Sequence, residues 1–457
     1  MTSAEGREMS VLQNPCYVES LNVLSRFRTG FFGCLTARAD ALFELTDAVL
    51  CTDGPVHSLV DLTLVAEHRR GHGAMYDALN HGSVDVGRLR RALAELPLPR
   101  FDGRRLVLAV DVSPWLRPDA ACSPDRLFCH TYGRARDDHQ MIPGWPYSWV
   151  AALEPGRTSW TAVLDAVRLR PDDDMAAVTA TQLRDVVRRL VDAGQHVPGD
   201  PDILIVADAG YDLPRLALLL ADLPVRVLGR LRSDRVFYRP APTRGPYRRG
   251  RPARHGGAFR FVDPATWHTA QVTTVTDTDR YGKAQATAWD GMHPKLARRC
   301  AWLDHDGDLP VVEGTVIRLC VERLPGDRTP DPVWLWCAAI NLALSDVDRM
   351  WQMFLRRFDL EHTFRLFKQT LGWTKPKLRT CEAADRWTWL TICVYTQLRL
   401  ARPLAQDLRR PWEKPLPAHR LTPARVRRGF RNIRPYAGRL SHSFRSQAVK
   451  VPLGCRV

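Results

Sequence analysis

The pattern of apolar and polar positions is clearest in the middle of the chain. "RLVLAVDVS" (residues 105–113) and "DILIVADAGYD" (residues 202–212) are continuous apolar runs that end in aspartate, which is typical of strands buried on both faces. "YSWVAALE" and "SWTAVLDAVRL" predict two further strands, and "MAAVTATQLRDVVRRLVDAG" has the apolar spacing of a helix. Strands that alternate with helices predict an α/β core with parallel pairing, which we assign to residues 99–231.

A different pattern precedes this core. Residues 1–98 contain helix-period apolar positions interrupted by glycines, with Arg69 and Arg70 near one of the breaks. Short helices separated by glycine turns predict a helical DNA-binding domain of the helix-turn-helix kind. An ordinary helical bundle with a solvated basic face is the alternative.

The core pattern is interrupted again after residue 231. Residues 232–345 begin with a loop rich in Pro, Gly and Arg and continue with short β-like runs, which predicts a β-rich insertion. Within the loop, Arg249 and Arg251 resemble an arginine hook for a narrow minor groove, although a flexible loop explains them equally well. Helical patterns return over residues 346–402 and complete the core, and residues 403–457 form a basic C-terminal tail.

Composition narrows the possible functions. The chain has 457 residues, enough for two or three domains, and a net charge of +16, which favours nucleic acid as a partner over an acidic membrane surface. No apolar run is long enough to span a membrane, and the N-terminus lacks the pattern of a signal peptide, so we expect a cytoplasmic protein. The eleven cysteines include no CxxC pair, which argues against a zinc module.

Three acidic residues are candidates for catalysis. Asp111 and Asp208 end the two buried strands, and ligands bind at strand ends in open α/β sheets. Glu361 belongs to the apolar helical segment "RFDLEHTFRLFKQTLGW", where helical spacing places it on one stripe with Arg357 and Lys368. Three converging carboxylates need a cation between them, and Mg²⁺ prefers oxygen ligands. Turn formation by the aspartates and an ordinary Glu361–Arg365 pair are the alternatives.

The same residues carry a family resemblance. The chain resembles an insertion-sequence transposase of the DDE type, in the group with a Tyr-x2-Arg-x3-Glu-x6-Lys signature. "FLRRFDLEHTFRLFK" supplies Arg357, Glu361 and Lys368 at the signature spacing, and "LAVDVS" and "ADAGYD" match the settings of the two aspartates. The signature tyrosine, whose hydroxyl would contact a phosphate, is Phe354 in this chain.

The resemblance implies a fold, a reaction and partners. The fold would be RNase H-like, with Asp111, Asp208 and Glu361 as catalytic residues that bind two Mg²⁺ ions, for which Mn²⁺ could substitute. The reaction would be hydrolysis at the transposon ends, followed by attack of the freed 3′-hydroxyl on target DNA. The partners would be the terminal inverted repeats and the target, bound by a homodimer on paired ends.

The resemblance also implies residues that hold DNA. Arg357, Arg365 and Lys368 would contact phosphates beside the catalytic carboxylates. A sequence-specific DNA-binding protein that has lost catalysis is the alternative function.

Overall fold

The N-terminal part of the chain folds into helices. The computed structural model describes residues 15–71, 73–132, 139–242, 252–299, 302–303, 305–324 and 330–438. The first helices are α1 (Pro15–Cys34), α2 (Ala39–Cys51), α3 (Gly73–His81) and α4 (Val86–Ala94), and the short strands β1 (Leu35–Ala37) and β2 (Ser83–Val84) pair between them. Residues 60–64 form only a 3₁₀ turn.

One large mixed sheet forms the centre of the molecule. Its strands up to residue 231 are β3 (Val107–Leu116), β4 (Leu127–Tyr132), β5 (His139–Leu153), β6 (Thr161–Arg168), β7 (Ile203–Ala207) and β8 (Val225–Leu231). Strand β7 lies between β3 and β8 and pairs with both in parallel, whereas β5 pairs antiparallel with β3, β4 and β6. The prediction of an α/β structure is confirmed, and the predicted parallel pairing holds only at this centre.

Residues 236–337 extend the same sheet. They contain β9 (Val236–Tyr238), β10 (Ala258–Arg260), β11 (Val272–Thr278), β12 (Gly282–Met292), β13 (Gly314–Val321) and β14 (Val333–Cys337). Strands β11 to β14 are antiparallel, and β14 joins the edge of β8, while β9 and β10 form a separate pair. Short β runs in the sequence thus correspond to strands here.

Helices cover both faces of the sheet. Helix α5 (Met175–Asp192) begins at Asp174, whose carboxylate accepts hydrogen bonds from two backbone amides of the first turn. Helix α6 (Leu213–Leu219) begins at Asp212, whose carboxylate accepts from one backbone amide, that of Arg215. An apolar core lies between these two helices and the sheet. A second and larger core on the opposite face includes α1 to α4 and the helices that follow β14.

The segment after β14 forms α7 (Leu344–Leu355), α8 (Phe358–Gln369), α9 (Cys381–Ala401) and α10 (Pro423–Ile433). Between α7 and α8 the chain turns at Arg356 and Arg357. There the two backbone amides bond to carbonyls three residues earlier, as in a 3₁₀ turn. Helix α9 is buried along most of its length and contacts α1, α2 and α10.

The C-terminal residues up to 438 belong to this helical layer. Helix α10 buries Val426, Phe430 and Ile433, and the buried Arg427 donates hydrogen bonds to the carbonyls of Val49 and Gly54. The described part of the predicted basic tail is therefore packed on α2.

Candidate active site

The two candidate aspartates lie side by side at the centre of the sheet. The parallel register of β3 and β7 ends where Ala109 pairs with Val206, and Asp111 and Asp208 each lie two residues beyond that pair. Neighbouring strands are about 4.8 Å apart, so the two backbones approach closely here. Asp208 directly follows the last residue of β7, as predicted, whereas Asp111 lies within β3, which continues to Leu116.

An aromatic cluster positions the helix that bears the third acid. Trp149 on β5 is the direct partner of Asp111 in the β3–β5 ladder, so the two side chains point to the same face of the sheet. The Trp149 ring contacts Phe364 and Phe367 of α8 and Trp373 beyond it, with ring centroids 5.8, 5.5 and 5.1 Å away. Trp149 is fully buried. This cluster brings α8 over Asp111.

Arg357 joins the sheet to the helix. Its Nη1 donates to Asp111 Oδ2 at 2.8 Å, and its Nη2 donates to Glu361 Oε1 at 3.1 Å. The Arg357 side chain is only 7% exposed, whereas that of Glu361 is 52% exposed. Such an apolar helical segment is expected to bury its charged stripe, but only the arginine is buried and the glutamate faces solvent, so the expectation is wrong for Glu361. Glu361 pairs with Arg357 rather than with Arg365 in the described structure.

Asp111 is influenced by the charges of both other acids. Burial raises the pKa of Asp111 to about 6, the Arg357 charge opposes this increase, and the negative charges of Asp208 and Glu361 add to it. Tyr211 responds to the same charges: burial raises the pKa of its phenol well above the usual value, and Asp111 and Asp208 raise it further. Its hydroxyl therefore stays protonated at neutral pH beside the carboxylates.

Lys368 is the second cation on this face of α8. Burial lowers the pKa of its amine to about 8, and Cys129 and Asp111 partly oppose this decrease. The ammonium lies 5.8 Å from the centre of the Trp373 ring. Lys368 thus lies near Asp111, as the helical stripe predicted. Phe354, which replaces the signature tyrosine, is buried in α7.

The other predicted DNA-binding residues are not part of this cluster. Arg365 is exposed on α8, and Arg69 and Arg70 are exposed before α3, where Arg70 pairs with Glu44 and Asp40. Arg249 and Arg251 lie outside the described residues.

Comparison with known proteins identifies the family. The family model of the DDE superfamily endonucleases matches residues 30–295, which is more than half of the chain. The mixed α/β fold is consistent with a DDE-type nuclease, and the chain is a member of the DDE superfamily endonuclease family. The matched residues include Asp111 and Asp208 and end before Glu361. A search of curated proteins finds no match to the chain.

Membership of this family implies a divalent metal, typically Mg²⁺, and the three acids can be tested against it. Within the described residues, no three His, Cys, Asp or Glu side chains are arranged as a ready metal-binding group. The donor chemistry nevertheless fits a hard divalent ion, because the negative charges of Asp208 and Glu361 raise the pKa of Asp111 and a guanidinium already lies between Asp111 and Glu361. Arg357 is therefore a stand-in for a metal ion: its guanidinium supplies positive charge between Asp111 and Glu361.

Sequence reasoning missed two features near the site. One is the role of Arg357, which the helical stripe indicated as a DNA contact but which is bonded to two of the acids. The other is a group of arginines from distant segments that surround Arg356 on the opposite face of α8. No spacing in the sequence indicates that group, because its members come from separate turns. Among the described residues, no helix is both long and apolar enough to cross a membrane.

Proposed function

We propose that the protein is a transposase that cleaves DNA at the ends of an insertion sequence and joins those ends to target DNA. The single observation that supports this most strongly is the pair of hydrogen bonds by which Arg357 links Asp111 to Glu361, with Asp208 near Asp111, in a chain of the DDE endonuclease family. Clustered carboxylates at the centre of an α/β sheet are suited to binding the divalent ions that phosphodiester cleavage requires.

Each residue of the site has a proposed role. Asp111, Asp208 and Glu361 would hold two Mg²⁺ ions, or Mn²⁺ in their place, which when bound supply positive charge to the attacked phosphate and activate the attacking oxygen. Arg357 orients the Asp111 and Glu361 carboxylates through its two hydrogen bonds. Lys368, on the same face of α8, contacts a DNA phosphate next to the scissile bond.

The proposed reaction has two steps. Water attacks a phosphorus at the transposon end, breaks the bond to the 3′ oxygen and leaves a 3′-hydroxyl. That hydroxyl then attacks a phosphorus of the target strand, forms a new phosphodiester and releases a target 3′-hydroxyl. Both steps exchange one P–O bond for another, and neither needs an oxidant or a covalent protein intermediate. We expect a homodimer to hold the two ends.

The DNA-binding residues would work outside the catalytic cluster. Arg365 on α8 is exposed and free to reach a phosphate near Lys368, and Arg69 and Arg70 would contact DNA from the N-terminal helices. Arg249 and Arg251, outside the described residues, are proposed to enter a minor groove.

One observation favours a second function. Because Arg357 already neutralises Asp111 and Glu361, the chain is compatible with a DNA-binding protein that no longer cleaves. Incubation of the full-length protein with labelled duplexes from the DNA that flanks its gene, in Mg²⁺ and in EDTA, distinguishes the two. The transposase releases a nicked strand with a 3′-hydroxyl in Mg²⁺ only and joins it to a target plasmid. Sequence-specific binding without nicking supports the second function and contradicts the first.

A further inference from the structure

A cationic cavity lies beside the catalytic helix, on the face turned away from the acids. Its volume is about 250 Å³. The described residues that line it include Arg157, Arg280, Arg356, Arg402, Arg420 and His362. These come from the β5–β6 turn, the β11–β12 turn, the α7–α8 junction and the segments that flank residues 403–419, so the cavity exists only in the folded chain.

Helical geometry separates this cavity from the candidate active site. Asp359 lines the cavity, and Glu361 belongs to the catalytic cluster. Two residues of a helix differ by about 200° in direction, so these two side chains point to opposite sides of α8. A ligand in the cavity is therefore different from the phosphodiester at Asp111.

Positive charge in the cavity exceeds negative charge. Asp359 is the acid among the described lining residues, and it pairs with Arg356. Arg402 pairs with Glu154 at 2.9 Å. The three remaining arginines form no ion pair with a carboxylate of the described residues. These are Arg157, Arg280 and Arg420.

A hydrogen-bond donor on the cavity wall also lacks a partner. The Nε of Arg356 is buried and makes no hydrogen bond within the described part of the chain, although its Nη2 donates to the carbonyl of Thr158 at 3.0 Å. Several guanidinium groups that approach from different directions match an anion with three or four acceptor oxygens better than a flat carboxylate. The cavity is larger than a phosphate ion and leaves room for part of an attached sugar.

We propose that this cavity binds a phosphate group. The phosphate would be a backbone phosphate of bound DNA or free inorganic phosphate, and both present the same oxygens to the arginines. The DNA version rests on the proposed function, whereas anion binding itself does not. In the DNA version, the cavity holds the duplex at a second point on α8, opposite the acids.

The test removes two exposed charges that carry no ion pair in the described structure. The double variant R280Q/R420Q is compared with the wild type and with R188Q/R232Q, which removes two exposed arginines outside the cavity. Binding of a labelled duplex is measured at several salt concentrations. The logarithm of the affinity falls with the logarithm of the salt concentration, and loss of one phosphate contact decreases the magnitude of this slope by about 0.9. We expect that decrease in R280Q/R420Q and an unchanged slope in the control.

A second measurement distinguishes the two sources of phosphate. Titration calorimetry with inorganic phosphate is carried out on the same three proteins. A lower duplex slope in R280Q/R420Q identifies DNA phosphate, and loss of phosphate heat with an unchanged slope identifies the free ion. If neither the slope nor the heat differs from the control, the proposal is wrong.

Two further variants keep the result interpretable. Circular dichroism and thermal melting test whether R280Q/R420Q is folded. If it is not, the exposed Arg157 provides a single variant, R157Q, that must show the same change. The D111N variant leaves the cavity intact and should keep the wild-type salt slope. If the wild type itself never nicks DNA while R280Q/R420Q still shows the change in slope, the proposed function is contradicted and this inference is not.

Discussion

Arg357 Nη1 lies 2.8 Å from Asp111 Oδ2, and this ion pair connects residues 246 positions apart in the chain. The guanidinium also bonds to Glu361, so one buried cation joins an acid of the central sheet to an acid of the helix above it. In the absence of a divalent ion, Arg357 therefore limits the repulsion between carboxylates that the proposed reaction needs close together.

The first prediction concerns Asp111. D111N removes a charged oxygen donor of the candidate metal site and leaves the exposed basic surfaces unchanged. We therefore expect nicking of labelled ends in Mg²⁺ to decrease by about 100-fold or more, because metal-assisted cleavage depends on that charge, while gel-shift affinity for the same ends stays within about twofold. The matched control is D222N, which removes an exposed carboxylate paired with Arg184 and should nick like the wild type. Nicking by D111N at the wild-type rate would show that Asp111 is not catalytic.

The second prediction concerns Arg357. R357Q leaves Asp111 and Glu361 without their shared cation, so we expect the free energy of unfolding in EDTA to decrease by about 1–3 kcal/mol. Added Mg²⁺ should then raise the melting temperature more in the variant than in the wild type, since the ion no longer competes with a guanidinium. Thermal melting with and without Mg²⁺ measures both effects, and R365Q, also on α8, serves as the control. An equal Mg²⁺ response in R357Q and the wild type would contradict the stand-in role.

The third prediction concerns Lys368 and pH. Its amine has a pKa of about 8 in the free protein, and the charged form is the one that binds phosphate. Above pH 8 the Lys368 amine of the free protein is mostly neutral, so it must take up a proton when DNA binds. The affinity for DNA should therefore decrease by up to about tenfold per pH unit above the pKa. K368R stays charged over this range and should show a flatter profile. Duplex affinity measured between pH 7 and 10 tests this, and K377A at an exposed lysine should retain the wild-type profile.

The same amine affects stability. Because its pKa is lower in the folded protein than the usual 10.5, the unfolded chain binds more protons between about pH 8 and pH 10.5. Relative to K368M, the wild type should gain stability as the pH rises through this window. Urea unfolding of both proteins at several pH values measures the difference, and parallel profiles would show that burial does not perturb Lys368.

The fourth prediction concerns the helical layer. Arg28 of α1 is 1% exposed and donates to both carboxylate oxygens of Asp47 on α2 and to Gln397 on α9. R28M leaves Asp47 with Arg434 as its remaining cation, so we expect a loss of about 3 kcal/mol of unfolding free energy. R26M, at an exposed position of the same helix, should change stability little. A melting temperature of R28M equal to that of R26M would contradict the structural role of the ion pair.

This network also affects how the N-terminal helices can be tested for DNA binding. Since α1 and α2 share a buried core with α9, removal of residues 1–98 would expose that core. Substitution of the exposed Arg69 is a cleaner test of end recognition than truncation.

Local patterns in the sequence predicted much of the fold. The apolar runs that contain Asp111 and precede Asp208 are strands, and the periodic segment after residue 174 is a helix, because a strand buried on both faces and an amphipathic helix each require a characteristic arrangement of side chains. The alternation of these elements was sufficient to predict an α/β structure. The mixed pairing was not predictable, because antiparallel additions to β3 and β8 depend on which edges remain free after folding.

The sequence by itself determined which residues are the candidates for catalysis: two aspartates in or after apolar runs and a glutamate four residues from an arginine. Only the tertiary structure decided how they are arranged. It placed Arg357 rather than Glu361 in the buried position, aligned Asp111 with Asp208 through a strand register, and brought arginines from four separate segments to the other face of α8. Each of these depends on contacts between residues far apart in the chain, and periodicity reports only on near neighbours.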